Sequence, residues 1–149
     1  MGNLEQVWDQ FRQVRSLSFV ASSGSEFGWK GTGSGTVEVR EAEDREMTFH
    51  EQGLWRPEGG ERDIRFHNVY RWTRAGGLLR LEHLRFGADN PVFLFDLAQT
   101  GEEEWRSVSP HLCRDDCYAA VLLVHEDGIG LRWSIDGPRK KETIEYEYR

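Results

Sequence analysis

The densest run of reactive side chains is Pro110-His-Leu-Cys-Arg-Asp-Asp-Cys-Tyr118, where His111, Cys113, Asp116 and Cys117 crowd together. Such a set could ligate a metal, but zinc sites usually draw on paired ligands supported by a second pair, which is missing here, so no metal is expected. A disulfide between Cys113 and Cys117 would need two Cα atoms closer than an extended chain of that spacing brings them. A structured corner, with His111 and Asp116 satisfying turn backbone, accounts for the run without either. No nucleophile elbow, H-E-x-x-H or C-x-x-C motif occurs; His50-Glu51 is followed by Gln52-Gly53-Leu54, so its second histidine is absent.

The elements that must position these groups follow from periodicity. Leu4, Val7, Trp8, Phe11 and Val14 fall at helical spacing, and Asn3 with Gln6 could cap the start, which predicts an amphipathic helix over about residues 3–14. Packed on one end of a barrel, it would act as a plug. Beyond it the period is two. Strands are expected at Ser16–Ala21, Gly31–Arg40, Glu46–Trp55, Arg62–Thr73, Gly77–Phe86, Val92–Ala98, Glu104–Ser109, Cys117–His125, Ile129–Asp136 and Glu142–Tyr148, separated by Gly-, Asn-, Asp- and Pro-containing turns. One short helix ahead of so many short strands predicts an all-β fold. The expected form is an antiparallel up-and-down barrel of about 8–10 strands, closed so that no edge is left open. The whole chain, residues 1–149, reads as one domain.

Gly28-Trp-Lys-Gly-Thr-Gly-Ser-Gly-Thr-Val37 tests that reading. A phosphate-cradling loop needs different glycine spacing and a helix after it. Here Gly31, Gly33 and Gly35 share one strand face and Thr36-Val37-Glu38-Val39 continues as a strand, which marks a bend or a close approach of another backbone.

Polar residues sharing parity with the apolar face are the candidates for an interior site. Glu51 aligns with Met47, Phe49 and Trp55; Asn68 aligns with Ile64, Phe66, Tyr70 and Trp72; His83 and Arg85 align with Leu79 and Leu81. Leu84 and Phe86 then take the opposite parity, so a bulge is expected there. Pointing inward together, Glu51 and Arg85 would need each other or a ligand. The candidate ligand contacts are Glu51, Asn68, Tyr70, His83, Arg85, His111, Asp116, Tyr118, Trp133 and Lys140.

The chain has 149 residues, a net charge of −7, six Trp, eight Phe and four Tyr. That charge argues against nucleic acid or an anionic membrane as partner. Two cysteines, no long apolar stretch and no signal-like N-terminus make the cytoplasm the expected location, without membrane insertion.

Trp133-Ser-Ile-Asp-Gly-Pro-Arg-Lys140 with the Tyr-rich strand after it, together with His111-x-Cys113-x-x-Asp116-x-Tyr118, resembles a family of short bacterial and fungal proteins of unknown function with a calycin-like barrel. Glu51-Gln-Gly53 and Tyr70-Arg-Trp72 look like its middle segments. The glycine ladder is similar to the first barrel strand of the nitrobindins, haem-binding barrels related to the lipocalins and fatty-acid-binding proteins. In that family a histidine near the C-terminus ligates the iron. Here the last histidine is His125, so haem is not expected and the cofactor stays unassigned.

The leading expectation is a non-enzymatic barrel holding a small amphipathic or aromatic ligand. Three alternatives stand beside it. One is an enzyme in the same cavity, such as an isomerase, cyclase or hydrolase, with His83 or His111 as acid–base and Arg85 as anion anchor. The others are a tetrapyrrole binder and a homodimeric scaffold built on Val69, Leu84 and Phe86.

Overall fold

The computed structural model describes residues 4–24, 30–43, 45–108, 111–113, 116–138 and 141–149; the side chains of residues 111–113 and of Asp116 are not among the described groups. The chain forms α1 (Leu4–Gln13), β1 (Ser16–Ser23), β2 (Gly31–Ala42), β3 (Glu46–Pro57), β4 (Ile64–Ala75), β5 (Leu78–His83), β6 (Val92–Gln99), β7 (Glu104–Ser107), β8 (His111–Cys113), β9 (Asp116–His125), β10 (Gly128–Asp136) and β11 (Lys141–Tyr148). Each strand from β1 to β6 pairs antiparallel with the next, β7 pairs with β9, and β9, β10 and β11 follow in turn. The pairing of β11 with β1, Leu17 opposite Tyr148, closes the ring. This is the expected all-β, up-and-down, calycin-like barrel: ten strands make the ring, with one short helix before them.

The element the sequence reading lacked is β8. It forms a tight hairpin with the start of β9, Cys113 opposite Asp116, on the same edge of β9 that β7 uses farther along. The corner is therefore hairpin rather than extended chain, and Cys117 is a free thiol. Strand β5 also ends earlier than its periodicity suggests. Leu84 to Phe86 lie beyond it, and the register shift falls opposite Leu81 and Glu82, where β6 carries Leu94 as an extra residue. The proposed cap Asn3 lies outside the described residues, as do Gly28 and Trp29 at the head of the glycine run.

Helix α1 is amphipathic in the expected sense. Glu5 sits in its first turn and Arg12 in its last, matching the helix dipole. Val7, Trp8 and Phe11 are buried, as is Val14 just past the helix. Phe11 packs at 4.7 Å from Trp72 and 5.6 Å from Phe49 between ring centroids, so it enters the barrel. Polar contacts fasten the rim: the Trp8 indole N–H donates to Glu41 at 3.1 Å, Arg74 pairs with Glu5 at 2.7 Å, and Gln10 donates to the His125 carbonyl at 3.2 Å. The helix plugs the end where β2, β4 and β9 finish.

Burial grades along the barrel from that plug. Met47, Phe49, Trp72, Leu79, Leu97, Trp105 and Leu122, near the helix, are at most 2% exposed. Inward residues toward the other end, including Phe19, Trp55, Phe66, Trp133 and Ile144, are only half-buried. Among the described residues the barrel is densely packed at the helix end and less buried toward the other, its open half.

The glycine ladder sits in the open half. Gly31, Gly33 and Gly35 face Pro57, Trp55 and Gly53 across β3, while Thr32, Ser34 and Thr36 point to solvent. A Cβ at Gly35 would run into the Gln52 carbonyl oxygen and lie 2.7 Å from the Gly53 Cα. The two backbones therefore approach more closely than any side chain permits, which is how a narrow barrel turns its sheet. At Gly33 the space is taken by the Phe19 ring, and at Gly53 the Phe66 ring lies 2.9 Å from where a Cβ would be.

Gly35→Ala is expected to lower unfolding free energy by about 2 kcal/mol or more, as overpacking against fixed backbone does. Gly101→Ala, where a Cβ meets only ordinary contact 3.5 Å away, is expected to stay within about 0.5 kcal/mol of wild type in the same urea titration.

Candidate functional site

At the floor of the open half one acidic side chain is turned inward. Glu51 follows Met47 and Phe49 on the inner face of β3, opposite Val37 on one side and Asn68 on the other, and is 0% exposed. The Tyr148 hydroxyl donates to its Oε2 at 2.7 Å, whereas Oε1 is buried with no hydrogen-bond partner among the described residues. Burial pushes the Glu51 carboxyl up to about 8, and the bond from Tyr148 offsets only part of that rise. Glu51 therefore carries a proton at neutral pH. With Oε2 accepting from Tyr148, that proton belongs on Oε1, and the free valence is an O–H donor.

Three tyrosines surround this carboxyl. Tyr70 on β4 and Tyr146 and Tyr148 on β11 are all buried, and burial raises all three hydroxyls above their ordinary range, with the Glu51 charge adding to the rise. Tyr70 and Tyr146 share a side-chain hydrogen bond, and the Tyr146 and Tyr148 rings stack at 5.6 Å, 8° from parallel. Trp133 stacks on Tyr146 at 6.0 Å and meets Tyr70 edge-on at 6.2 Å. Its indole N–H is also buried without a partner among the described residues. The small void between Tyr70, Trp72, Leu81, Leu131, Trp133 and Tyr148 has no room for a water molecule, so the helix-side interior is packed by its own side chains.

Of the candidates read from sequence, Glu51, Asn68, Tyr70, His83 and Trp133 come together on this inner wall. His83 stacks on Tyr70 at 4.7 Å, and burial followed by the Arg85 charge lowers its pKa. Tyr118 on β9 packs against the same core. Arg85 does not join them. It lies past the end of β5, exposed, with its guanidinium over the Phe86 ring at 5.0 Å, so it cannot neutralise Glu51. The side chains of His111 and Asp116, and Lys140 altogether, lie outside the described residues. Tyr146 and Tyr148 are site residues absent from the candidates read from sequence. Their alternation with Ile144 signals the inner face, but nothing local announces that β11 meets Glu51.

A broad hollow lies elsewhere, on the outer face of β7, β9, β10 and β11 around Gly130. Its charges are mutually paired: Arg106 with Glu104 at 3.1 Å, Arg132 with Glu145 at 3.7 Å and Arg149 with Glu147 at 3.3 Å. No buried polar atom is left without a partner there, so it is a surface feature rather than a second site. Val69 and Leu84 are half-buried neighbours, the Leu84 N–H donating to the Val69 carbonyl at 2.8 Å, and Phe86 is 64% exposed. Among the described residues no cluster of His, Cys, Asp and Glu is arranged to hold a metal. No helix among them is long and apolar enough to cross a membrane.

Fold and interior together define a calycin-like antiparallel barrel, plugged at one end, with a neutral carboxyl set among tyrosines below a layer of half-buried aromatic side chains. The chain belongs to a family of unknown function, DUF6314, which matches residues 4–149. No curated protein and no solved structure matches it.

Glu51 also links stability to pH. An unfolded glutamate loses its proton near 4.5 and the folded one near 8, so folding favours the protonated form. The contribution is fully present below 4.5 and is lost as pH rises through about 8. Glu51→Gln, which keeps the acceptor for Tyr148 and cannot ionise, is expected to melt close to wild type near pH 5. Near pH 9 it should melt about 5 °C or more above it, a crossover read by thermal denaturation across pH.

Proposed function

We propose that this protein is a small-molecule-binding barrel that takes an amphipathic or aromatic ligand into its open half. The observation that carries the reading is the burial gradient: aromatic side chains face inward above Glu51, yet Phe19, Trp55, Phe66 and Trp133 remain half-buried. The packed void and the helix plug confine a ligand to that half. Aromatic walls with a few polar groups at the base suit a flat or amphipathic molecule. The net charge of −7 supports a protein that acts without nucleic acid or an anionic membrane surface, and the sparse cysteines support a cytoplasmic setting.

A second reading, a small-molecule enzyme in the same cavity, draws on one observation. A buried carboxyl kept protonated near neutral pH is a ready general acid, a role Glu51 fills better than the stacked His83. Turnover of a bound compound that Glu51→Gln abolishes without loss of binding would favour this reading over simple carriage.

Native mass spectrometry of freshly purified protein, set beside its denatured mass, tests the primary reading. The expected result is a retained non-protein mass released on denaturation, or, for protein recovered empty, saturable binding of the neutral dye Nile red with quenching of tryptophan fluorescence. An apo mass together with no saturable dye binding would overturn it.

A further inference from the structure

Among the described residues three buried polar atoms lack partners, Glu51 Oε1, Trp133 Nε1 and Trp105 Nε1, and the first two border the same group of tyrosines. With Oε2 accepting from Tyr148, a neutral Glu51 presents Oε1 as an O–H, and the indole offers only N–H. Both free valences are therefore donors. In a protein interior such donors are almost always satisfied, and an unmet one marks a place for a partner. The titratable groups facing Glu51 are Tyr148 and Tyr146 from β11 and Tyr70 from β4; β2 presents Val37. Among the described residues the open half contributes Phe19, Trp55, Phe66, Asn68, His83 and Trp133 to the inner face, and no Lys or Arg. Among the described residues that inner face therefore offers an anionic ligand no Lys or Arg counter-charge against its desolvation cost.

The approach to these donors is also defined. Gly33, Gly35 and Gly53 leave the inner wall of β2 and β3 bare above Glu51, and the rings of Phe19 and Phe66, 5.6 Å apart, occupy the space that side chains would fill. Two rings in edge contact, each half-buried, cover that stretch.

Resting on the binding reading above, we propose that the ligand is uncharged and carries a carbonyl-type acceptor. The acceptor receives the Glu51 Oε1 hydrogen, with Trp133 as second donor, while the ligand's apolar body displaces the Phe19–Phe66 pair. An acceptor oxygen suits either donor; a hydrocarbon meets neither, and a carboxylate brings a charge that no described residue of that inner face balances.

The test uses three matched fluorescent probes: 6-propionyl-2-(dimethylamino)naphthalene, which is a neutral ketone; 2-(dimethylamino)naphthalene, which lacks the acceptor; and 6-(dimethylamino)-2-naphthoate, which is anionic. Titrated into wild type near pH 6, the ketone is expected to bind about tenfold or more tighter than either companion, the gain of one hydrogen bond to a buried donor. Near pH 9.5 that advantage should fall away as Glu51 ionises. In Glu51→Gln, whose amide N–H still donates, the advantage should persist at both pH values, and in Glu51→Leu it should vanish at both. Equal binding of ketone and parent naphthalene, insensitive to pH, would overturn this inference and leave the binding reading standing. Tighter binding of the naphthoate would also overturn it. Failure of all three probes to bind would overturn both.

Discussion

The meeting of β2 and β3 at Gly35 and Gly53 is the constraint on which the rest of this barrel depends. Their backbones pass so close that a Cβ on either strand would strike a carbonyl oxygen of the other. Closure of a ten-stranded sheet around a narrow interior needs strong local coiling, and here it is concentrated in one pair of strands. The same absence of side chains that lets the sheet turn also strips the inner wall of atoms. Phe19 and Phe66 fold over the bare stretch from neighbouring strands, and so the geometry of closure sets the shape of the open half.

The two ends of the barrel answer different physical demands. At the helix end, Trp8, Phe11, Phe49 and Trp72 interlock, and the rim is tied by hydrogen bonds from Trp8 and Gln10 and by the Arg74–Glu5 pair. That end has the density of an ordinary core. Between it and the opening lies the polar layer of Glu51, Tyr70, Tyr146 and Tyr148. A carboxyl in such a place is costly when charged, and with no cation beside it the lower-cost state is the protonated one. Keeping the proton turns an acid into a neutral hydrogen-bonding group, so the layer has the polarity of an alcohol rather than of a salt bridge.

Much of this could be read from the sequence because strands report their faces by parity. The alternation Ile144, Tyr146, Tyr148 and the inward parity of Glu51 with Met47 and Phe49 placed these residues inside before any pairing was known. What parity does not carry is which inward residues meet. Glu51 and Tyr148 are 97 positions apart, and their contact follows from ring closure, not from any local signal. Arg85 illustrates the converse: its parity with Leu79 and Leu81 holds only while the strand continues, and β5 stops at His83. The hairpin at β8 was missed because three residues are too few to show a period, and its reactive side chains looked like a motif instead of an edge.

Because the ring is closed by β1 and β11, the fold carries a particular order of events. Leu17 finds Tyr148 only after nearly the whole intervening chain has been gathered, and the backbone N–H groups of Arg15 and Ser16 donate to the Arg149 carbonyl. Loop-closure entropy of that span must be met before the contact gives anything back, which makes such topologies slow among single domains. On a ribosome the helix α1 emerges well before the β10 and β11 staves of the wall it plugs. Its exposed Trp8 and Phe11 would then have to be tolerated, or shielded by other parts of the cell's machinery, until synthesis reaches the last strand.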